Sequence, residues 1–219
     1  CHMLSGDLPY DMEYTKVVGL TFIRNPVDRL ISSYHFMMDS RYRGGYSKEM
    51  GFDEYYVHEL RNDNPWYRDG QTYVLGGSAT EDGLAKIRKR MENGQMAVLV
   101  TERFDESCII LERLFPEDFK DCSYIPSNIS SKRRTISDEQ RKAVSQYMDL
   151  DFRLLTLAND WMDTTLDRLF PNEHNRQEYF NDFRQRCRLK KRKQSITHAR
   201  MALDRNIKKA ATKMLRFIK

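Results

Sequence analysis

Val17 to Met38, VVGLTFIRNPVDRLISSYHFMM, changes from a strand pattern to a helix pattern across one turn. The stretch opens with a short apolar run rich in β-branched and aromatic residues, namely Val17, Val18, Leu20, Phe22 and Ile23. Such a run predicts a buried strand. After the turn the apolar residues recur at helical spacing, at Val27, Leu30, Ile31, Tyr34 and Met38. Because Pro26 has a φ suited to the first turn of a helix, the stretch predicts a strand, a tight turn and a helix.

Two polar residues of this unit are candidates for binding an anion. Arg24 stands at the carboxyl end of the predicted strand, and Ser32 lies eight residues later, two turns into the helix. In an open α/β sheet, ligands bind at the carboxyl ends of the strands. The fork of donors on an arginine suits a phosphate group.

The segment from Arg24 to Tyr34, R-N-P-V-D-R-L-I-S-S-Y, resembles the R-[DN]-P-x-x-R-x-x-S-x-Y signature of sulfotransferases that use 3′-phosphoadenosine 5′-phosphosulfate (PAPS). The resemblance implies that Arg24 and Ser32 hold the 3′-phosphate of the nucleotide. It also implies that Arg29 pairs structurally within the fold. The alternative is an ordinary strand–helix unit with an arginine at its turn.

A second resemblance begins more than 70 residues later. Met96 to Thr101 predicts a buried strand, and the T-E pair that ends it is similar to the G-x-T-E of the same family. Beyond the next helix, family members carry a Ser-x-x-Arg-x-Thr stretch that folds over the nucleotide. That stretch corresponds here to Ser130, Arg133 and Thr135. A solvated charge run is the alternative for these residues.

The resemblance also suggests a general base and an acceptor site. Where family members have a histidine before Pro-Tyr, this chain has Asp7, and His2 lies nearby. Either side chain is a candidate to take the proton of the acceptor hydroxyl, provided that burial raises the pKa of Asp7. A turn or capping carboxylate is the alternative for Asp7. Arg41 and Arg43 resemble a cluster that faces anionic sugar in glycosaminoglycan sulfotransferases, or they belong to a solvated loop.

The family's loop for the 5′-phosphosulfate is missing from the 219 residues. We expect that loop to precede Cys1, because the chain has neither an initiator Met nor a signal-peptide pattern. On this reading the full-length protein is active and this stretch alone is not. The compartment is inferred by analogy with the family. A eukaryotic protein would lie in the Golgi lumen, held by an N-terminal membrane anchor outside this chain, and a bacterial protein would lie in the cytoplasm. No apolar run approaches the roughly 20 residues needed to span a bilayer.

Charge is distributed unevenly along the chain. From Arg184 to the end there are 14 Lys and Arg against one acid, so this part carries +13 and the rest −8. We predict a sulfotransferase domain over residues 1–171 and a basic helical tail over 172–219. No aromatic residue interleaves the basic run before Phe217, so we do not expect a nucleic-acid partner. The four cysteines show no CxxC spacing and indicate no metal site.

The predicted fold is α/β, with a P-loop-kinase-like parallel sheet flanked by helices and a helical C-terminal extension. Further helices are predicted over Phe52–Leu60, over Thr80–Asn93 with Thr80 as N-cap, from the capping box at Ser137, and over Leu150–Leu169. A loop is predicted over residues 61–77. The implied activity is transfer of a sulfuryl group from PAPS to a hydroxyl, on a carbohydrate, with adenosine 3′,5′-bisphosphate (PAP) as the other product. The alternative is an inactive relative that binds sulfated glycans.

Overall fold

A computed structural model describes the backbone of residues 18–39, 46–47, 49–61, 65–126 and 135–217, and side chains as far as residue 195. Two strands and eight α-helices lie in these ranges. In chain order they are β1 (Gly19–Ile23), α1 (Pro26–Asp39), α2 (Phe52–Arg61), α3 (Gly70–Gly76), α4 (Glu81–Glu92), β2 (Met96–Val100), α5 (Phe104–Leu114), α6 (Asp138–Ser145), α7 (Asp149–Leu169) and α8 (Glu173–Phe217). A short 3₁₀ turn over Thr101–Arg103 joins β2 to α5.

The two strands pair in parallel, with Gly19 opposite Met96 and Ile23 opposite Val100. Residues 97–100 of β2 are buried, as predicted, whereas in β1 only Ile23 is buried. The prediction of a buried strand was therefore wrong for the first part of β1, where Leu20 is 39% exposed. A strand is buried only where other elements cover it, and its own sequence cannot supply that cover. The P-loop-kinase-like sheet stays a prediction.

Helix α1 buries the face that its sequence predicted. All five apolar residues of that face are buried, namely Val27, Leu30, Ile31, Tyr34 and Met38. They form one cluster with Phe52 and Tyr55 of α2 and with Val144 and Met148. Tyr34 packs edge-on against Phe52 at 5.4 Å between ring centroids, and its hydroxyl donates to the Met50 carbonyl at 2.9 Å. The cluster fixes α1 against α2 and α6.

Two helix starts follow from local capping. The Thr80 hydroxyl accepts from the Gly83 N–H at the start of α4. Ser137 and Gln140 form both halves of a capping box at the start of α6. Each pair of groups satisfies backbone N–H donors that a helix leaves unpaired in its first turn. Both predicted helix starts are confirmed.

The predicted loop over residues 61–77 was wrong where α3 forms. The first-turn N–H groups of Gln71 and Thr72 donate to the buried carboxylate of Asp151 at 3.1 and 2.7 Å. A carboxylate on α7 thus takes the capping role that the side chain of the N-cap residue, Asp69, does not fill. The helix ends at Gly77, whose φ of 81° is left-handed and suits glycine.

The chain divides into two compact units. The first comprises Cys1–Phe104 and Lys132–Asp163, and the second comprises Asp105–Ser131 and Thr164–Lys219. The core of the second unit contains apolar residues of α5, α7 and α8, among them Ile109, Ile110, Leu166, Phe180 and Phe183, together with Phe170 between α7 and α8. The Cys108 thiol is buried there, and burial raises its pKa to about 12. The boundary between residues 171 and 172 stays a prediction.

Candidate functional site

The carboxyl ends of the two strands are joined by hydrogen bonds. The Thr101 hydroxyl donates to the Ile23 carbonyl at 2.8 Å. The next residue, Glu102, accepts from the Asn25 N–H through its Oε1 at 2.9 Å. Because the strands are parallel and pair in register, the segments that follow them, from Arg24 and from Thr101, lie at the same edge of the sheet. That edge is where open α/β sheets bind ligands.

The turn between β1 and α1 is capped by its own asparagine. The Asn25 Oδ1 accepts from the N–H groups of Val27 and Asp28 at 3.1 and 3.2 Å. Pro26 needs no partner, because it has no N–H. The turn therefore holds the positive end of the α1 dipole beside Arg24.

The main chain of Arg24 is held on both sides by one side chain. Gln71 of α3 accepts from the Arg24 N–H at 2.8 Å and donates to the Arg24 carbonyl at 2.9 Å. Gln71 is 8% exposed, so these bonds are shielded from competing water. The position of the Arg24 backbone is thus set by a residue 47 positions away.

Gln71 is held in turn by Asp151, whose main chain is bonded to a second acid, Asp69. Asp151 is fully buried, and its carboxylate accepts from the Gln71 N–H and lies 3.5 Å from the Gln71 Nε2. The Asp151 N–H donates to the Asp69 carboxylate at 2.8 Å, and burial raises the pKa of Asp69. A chain of polar contacts therefore runs from α7 through α3 to Arg24. Nothing in the sequence near Gln71 or Asp151 indicates this role, and the sequence analysis missed both residues.

The side chain of Arg24 has one weak acidic neighbour. Its Nε lies 3.7 Å from the Glu102 Oε1, and the two side chains are 35% and 39% exposed. An ion pair this open contributes only about 0–1 kcal/mol. In the part of the chain that the structure describes, no other acid pairs with Arg24. The described residues therefore neutralise this guanidinium only weakly.

Ser32 is exposed on α1, whereas its neighbour Ser33 is partly buried. The Ser33 hydroxyl lies 3.1 Å from the Tyr55 hydroxyl and is engaged within the fold. Of the two serines, Ser32 is the one that is open to a ligand. Within the described ranges no hydrogen bond or ion pair joins Ser32 to Arg24 or to Thr135.

Arg29, in the middle of the motif, has a structural role, as predicted. It is partly buried and donates a hydrogen bond to the Trp66 carbonyl. Burial lowers its pKa, and the negative charge of Asp151 opposes that shift. A Cβ on Gly70 would lie 2.7 Å from the Arg29 guanidinium, so a larger residue there would have to displace the end of that side chain.

Helix α6 begins shortly after Thr135, the last residue of the stretch predicted to fold over the nucleotide. Its Arg141 forms an ion pair with Asp28, in the first turn of α1, at 2.8 Å. Ile136, just before α6, packs against the apolar cluster of α1. The exposed Thr135 therefore belongs to a segment anchored beside the start of α1.

The other predicted site residues lie outside the described residues. They are His2, Asp7, Arg41, Arg43, Ser130 and Arg133. Their predicted roles stay predictions.

No family model matches the chain, and neither the curated proteins nor the solved structures that were compared with it give a match. Among the residues with described positions, no three His, Cys, Asp or Glu side chains are grouped so as to hold a metal ion. The described helices include none with the length and apolar character needed to cross a membrane.

Proposed function

We propose that this chain is a sulfotransferase that transfers a sulfuryl group from PAPS to a hydroxyl of a carbohydrate. The observation that carries the proposal is the placement of Arg24. It follows a parallel strand, and its main chain is fixed by Gln71. Its partly exposed guanidinium has, among the described residues, Glu102 as its one weak acidic partner. Such an arrangement presents a positioned cation to an anionic ligand.

The proposed nucleotide site extends from Arg24 along α1. Arg24 and Ser32 hold the 3′-phosphate of PAPS, and Ser32 is exposed as this role requires. A segment over the nucleotide contributes Ser130, Arg133 and Thr135. PAPS supplies the sulfuryl group, which forms a bond to the acceptor oxygen as its bond to the phosphate breaks and PAP leaves. Asp7 or His2 takes the proton of the acceptor hydroxyl, and Arg41 and Arg43 contact the sugar.

The discriminating test compares two nucleotides on two proteins. PAP and adenosine 5′-monophosphate differ by the 3′-phosphate alone, so the ratio of their affinities reports that phosphate. We expect the wild-type chain to prefer PAP. We expect Arg24→Ala to reduce the preference by the value of a charged hydrogen bond, about 1.5–3 kcal/mol or roughly 10- to 150-fold. Isothermal titration calorimetry measures all four affinities.

Glu102→Gln is the matched control. Its amide oxygen still accepts from the Asn25 N–H, while the negative charge beside Arg24 is removed. Affinity for PAP should stay level or rise by at most about fivefold, since the lost ion pair is weak. A parallel loss of PAP binding in Glu102→Gln and Arg24→Ala would instead indicate damage to the turn.

Equal affinities for the two nucleotides, unchanged by Arg24→Ala, would refute the nucleotide site. Binding of heparin that does not respond to PAP would then favour the inactive glycan-binding relative. Sulfation of a carbohydrate acceptor with labelled PAPS, by a protein that also carries the 5′-phosphosulfate loop, tests the activity itself. By analogy, the proposal places a eukaryotic protein in the Golgi lumen and a bacterial one in the cytoplasm.

A further inference from the structure

A cavity of about 240 Å³ lies in the second unit, between α8 and the segment that follows α5. It shares no residue with the Arg24 region. Its lining includes Asp105, Tyr124, Arg184, Cys187, Arg188 and Lys191. Arg184, Arg188 and Lys191 are spaced by four and three residues, which places them on one face of α8.

The cations of this face differ in how far they are neutralised. The Arg184 Nε lies 3.6 Å from the Asp105 carboxylate, and the Arg184 guanidinium lies over the Phe180 ring. Arg188 and Lys191 are exposed, and neither forms an ion pair with any side chain that the structure describes. Two positive charges at the cavity are therefore left without a counter-ion.

The neighbouring face of the same helix shows the contrast. There Arg186 and Lys190 pair with Asp121 at 2.7 and 2.9 Å. Arg186 also binds the buried Glu112 with both ends of its fork. The basic residues of α8 between Arg184 and Lys191 are thus divided into two faces. On one face the charges are paired with acids, and on the other Arg188 and Lys191 form no ion pair with a described side chain.

The acid of the cavity is already engaged. Asp105 accepts from the Tyr124 hydroxyl at 2.9 Å besides its pairing with Arg184. Burial and the Asp105 charge raise the pKa of Tyr124 to about 12, so its hydroxyl stays a neutral donor at physiological pH. Three cations and one carboxylate give the lining a net charge of +2.

We propose that this cavity binds a small phosphate monoester. A phosphate monoester carries about −1.5 to −2 charges near pH 7, which complements the two open cations, whereas a sulfate ester carries only one. Arg188 offers the two parallel N–H donors that bind phosphate oxygens. The cavity is smaller than the roughly 300–1,000 Å³ of drug-sized ligand pockets. It therefore takes the phosphoryl group and the first atoms of the ester, with the Tyr124 ring beside them.

The test uses phenyl phosphate and phenyl sulfate, which share a ring and differ in charge. Calorimetric titration of each into the full chain gives their affinities. Arg188→Gln/Lys191→Gln removes the two open cations. Arg192→Gln/Lys193→Gln is the matched control, because it removes the same charge from two exposed residues of α8 that do not line the cavity. Alkylation of Cys187 by iodoacetamide, followed by mass spectrometry, reports whether the cavity is filled.

We expect saturable binding of phenyl phosphate that exceeds phenyl sulfate. The cavity variant should weaken it at least roughly tenfold and the control by at most about twofold. Phenyl phosphate should slow alkylation of Cys187 and leave that of Cys122 unchanged. Equal loss in both variants, or no protection of Cys187, would overturn the site, and equal affinity for phenyl sulfate would overturn the assignment to phosphate. This proposal and the Arg24 site do not depend on each other, so either can fail alone.

Discussion

Asp151→Asn should strongly destabilise the first unit, because it weakens hydrogen bonds that join α7 to α3. The fully buried carboxylate accepts from two backbone N–H groups of α3 and lies within 3.5 Å of the Gln71 side-chain amide. Asparagine keeps one acceptor oxygen, but its NH₂ group replaces the other oxygen and faces a backbone N–H donor of α3. At least one buried N–H then loses a charged acceptor, at about 1.5–3 kcal/mol, and its neighbours shift. We expect a loss of about 3 kcal/mol, a large part of the 5–15 kcal/mol of a typical domain.

Urea unfolding followed by tryptophan fluorescence measures this loss selectively. The chain has two tryptophans, Trp66 and Trp161, and both belong to the first unit. With a slope of about 2 kcal/mol/M, the unfolding midpoint should fall by roughly 1.5 M. Because Gln71 positions Arg24, the preference for PAP over adenosine 5′-monophosphate should fall as well.

Asp149→Asn is the control, since it makes the same chemical change two residues earlier on α7. The Asp149 side chain is 79% exposed and pairs only weakly, at 3.7 Å, with Arg153. Its replacement should change stability by less than about 0.5 kcal/mol. Unfolding midpoints that agree for the two variants would refute the role assigned to the Asp151 carboxylate.

Two further substitutions test the packing and the charges of the fold. Gly76→Ala should destabilise by about 1–3 kcal/mol in thermal or urea unfolding, because a Cβ there would lie 2.3 Å from the Gly83 carbonyl oxygen. Gly51→Ala meets nothing within 4 Å and should be near neutral, so equal effects would contradict the argument. Glu112→Gln tests the buried Glu112 carboxylate. Burial alone would raise the pKa of this group, but its hydrogen bonds, led by those from Arg186, lower the pKa by more, so the net shift is downward. A lowered pKa contributes stability that is present at neutral pH and lost as the pH falls below the ordinary value of 4.5. Glu112→Gln should therefore lower the free energy of unfolding by about 3 kcal/mol at pH 7 and by less at pH 3. An equal loss of stability at both pH values would be evidence against this account.

Local signals in the sequence predicted most of the helices. The apolar face of α1 and the caps at Thr80 and Ser137 follow from spacing and from hydrogen bonds within four residues. Such interactions form wherever the segment is helical, so sequence alone predicts them. The same holds for Arg24 at a strand end, because the change from strand to helix pattern lies next to it.

Only the tertiary structure determines how Arg24 is held and which basic residues of α8 are paired with acids. Gln71 and Asp151 act across 47 and 80 residues, so no local pattern marks them. Asp151 in particular caps the first turn of α3 from another helix. The sequence shows two adjacent serines and one basic run, but packing determines that Ser32 is exposed. Among the described residues, packing likewise gives Arg188 no acidic partner, whereas Arg186 has three. The physical reason is that burial and pairing depend on neighbours brought from elsewhere in the chain, whereas helix periodicity and capping depend on residues within a turn or two.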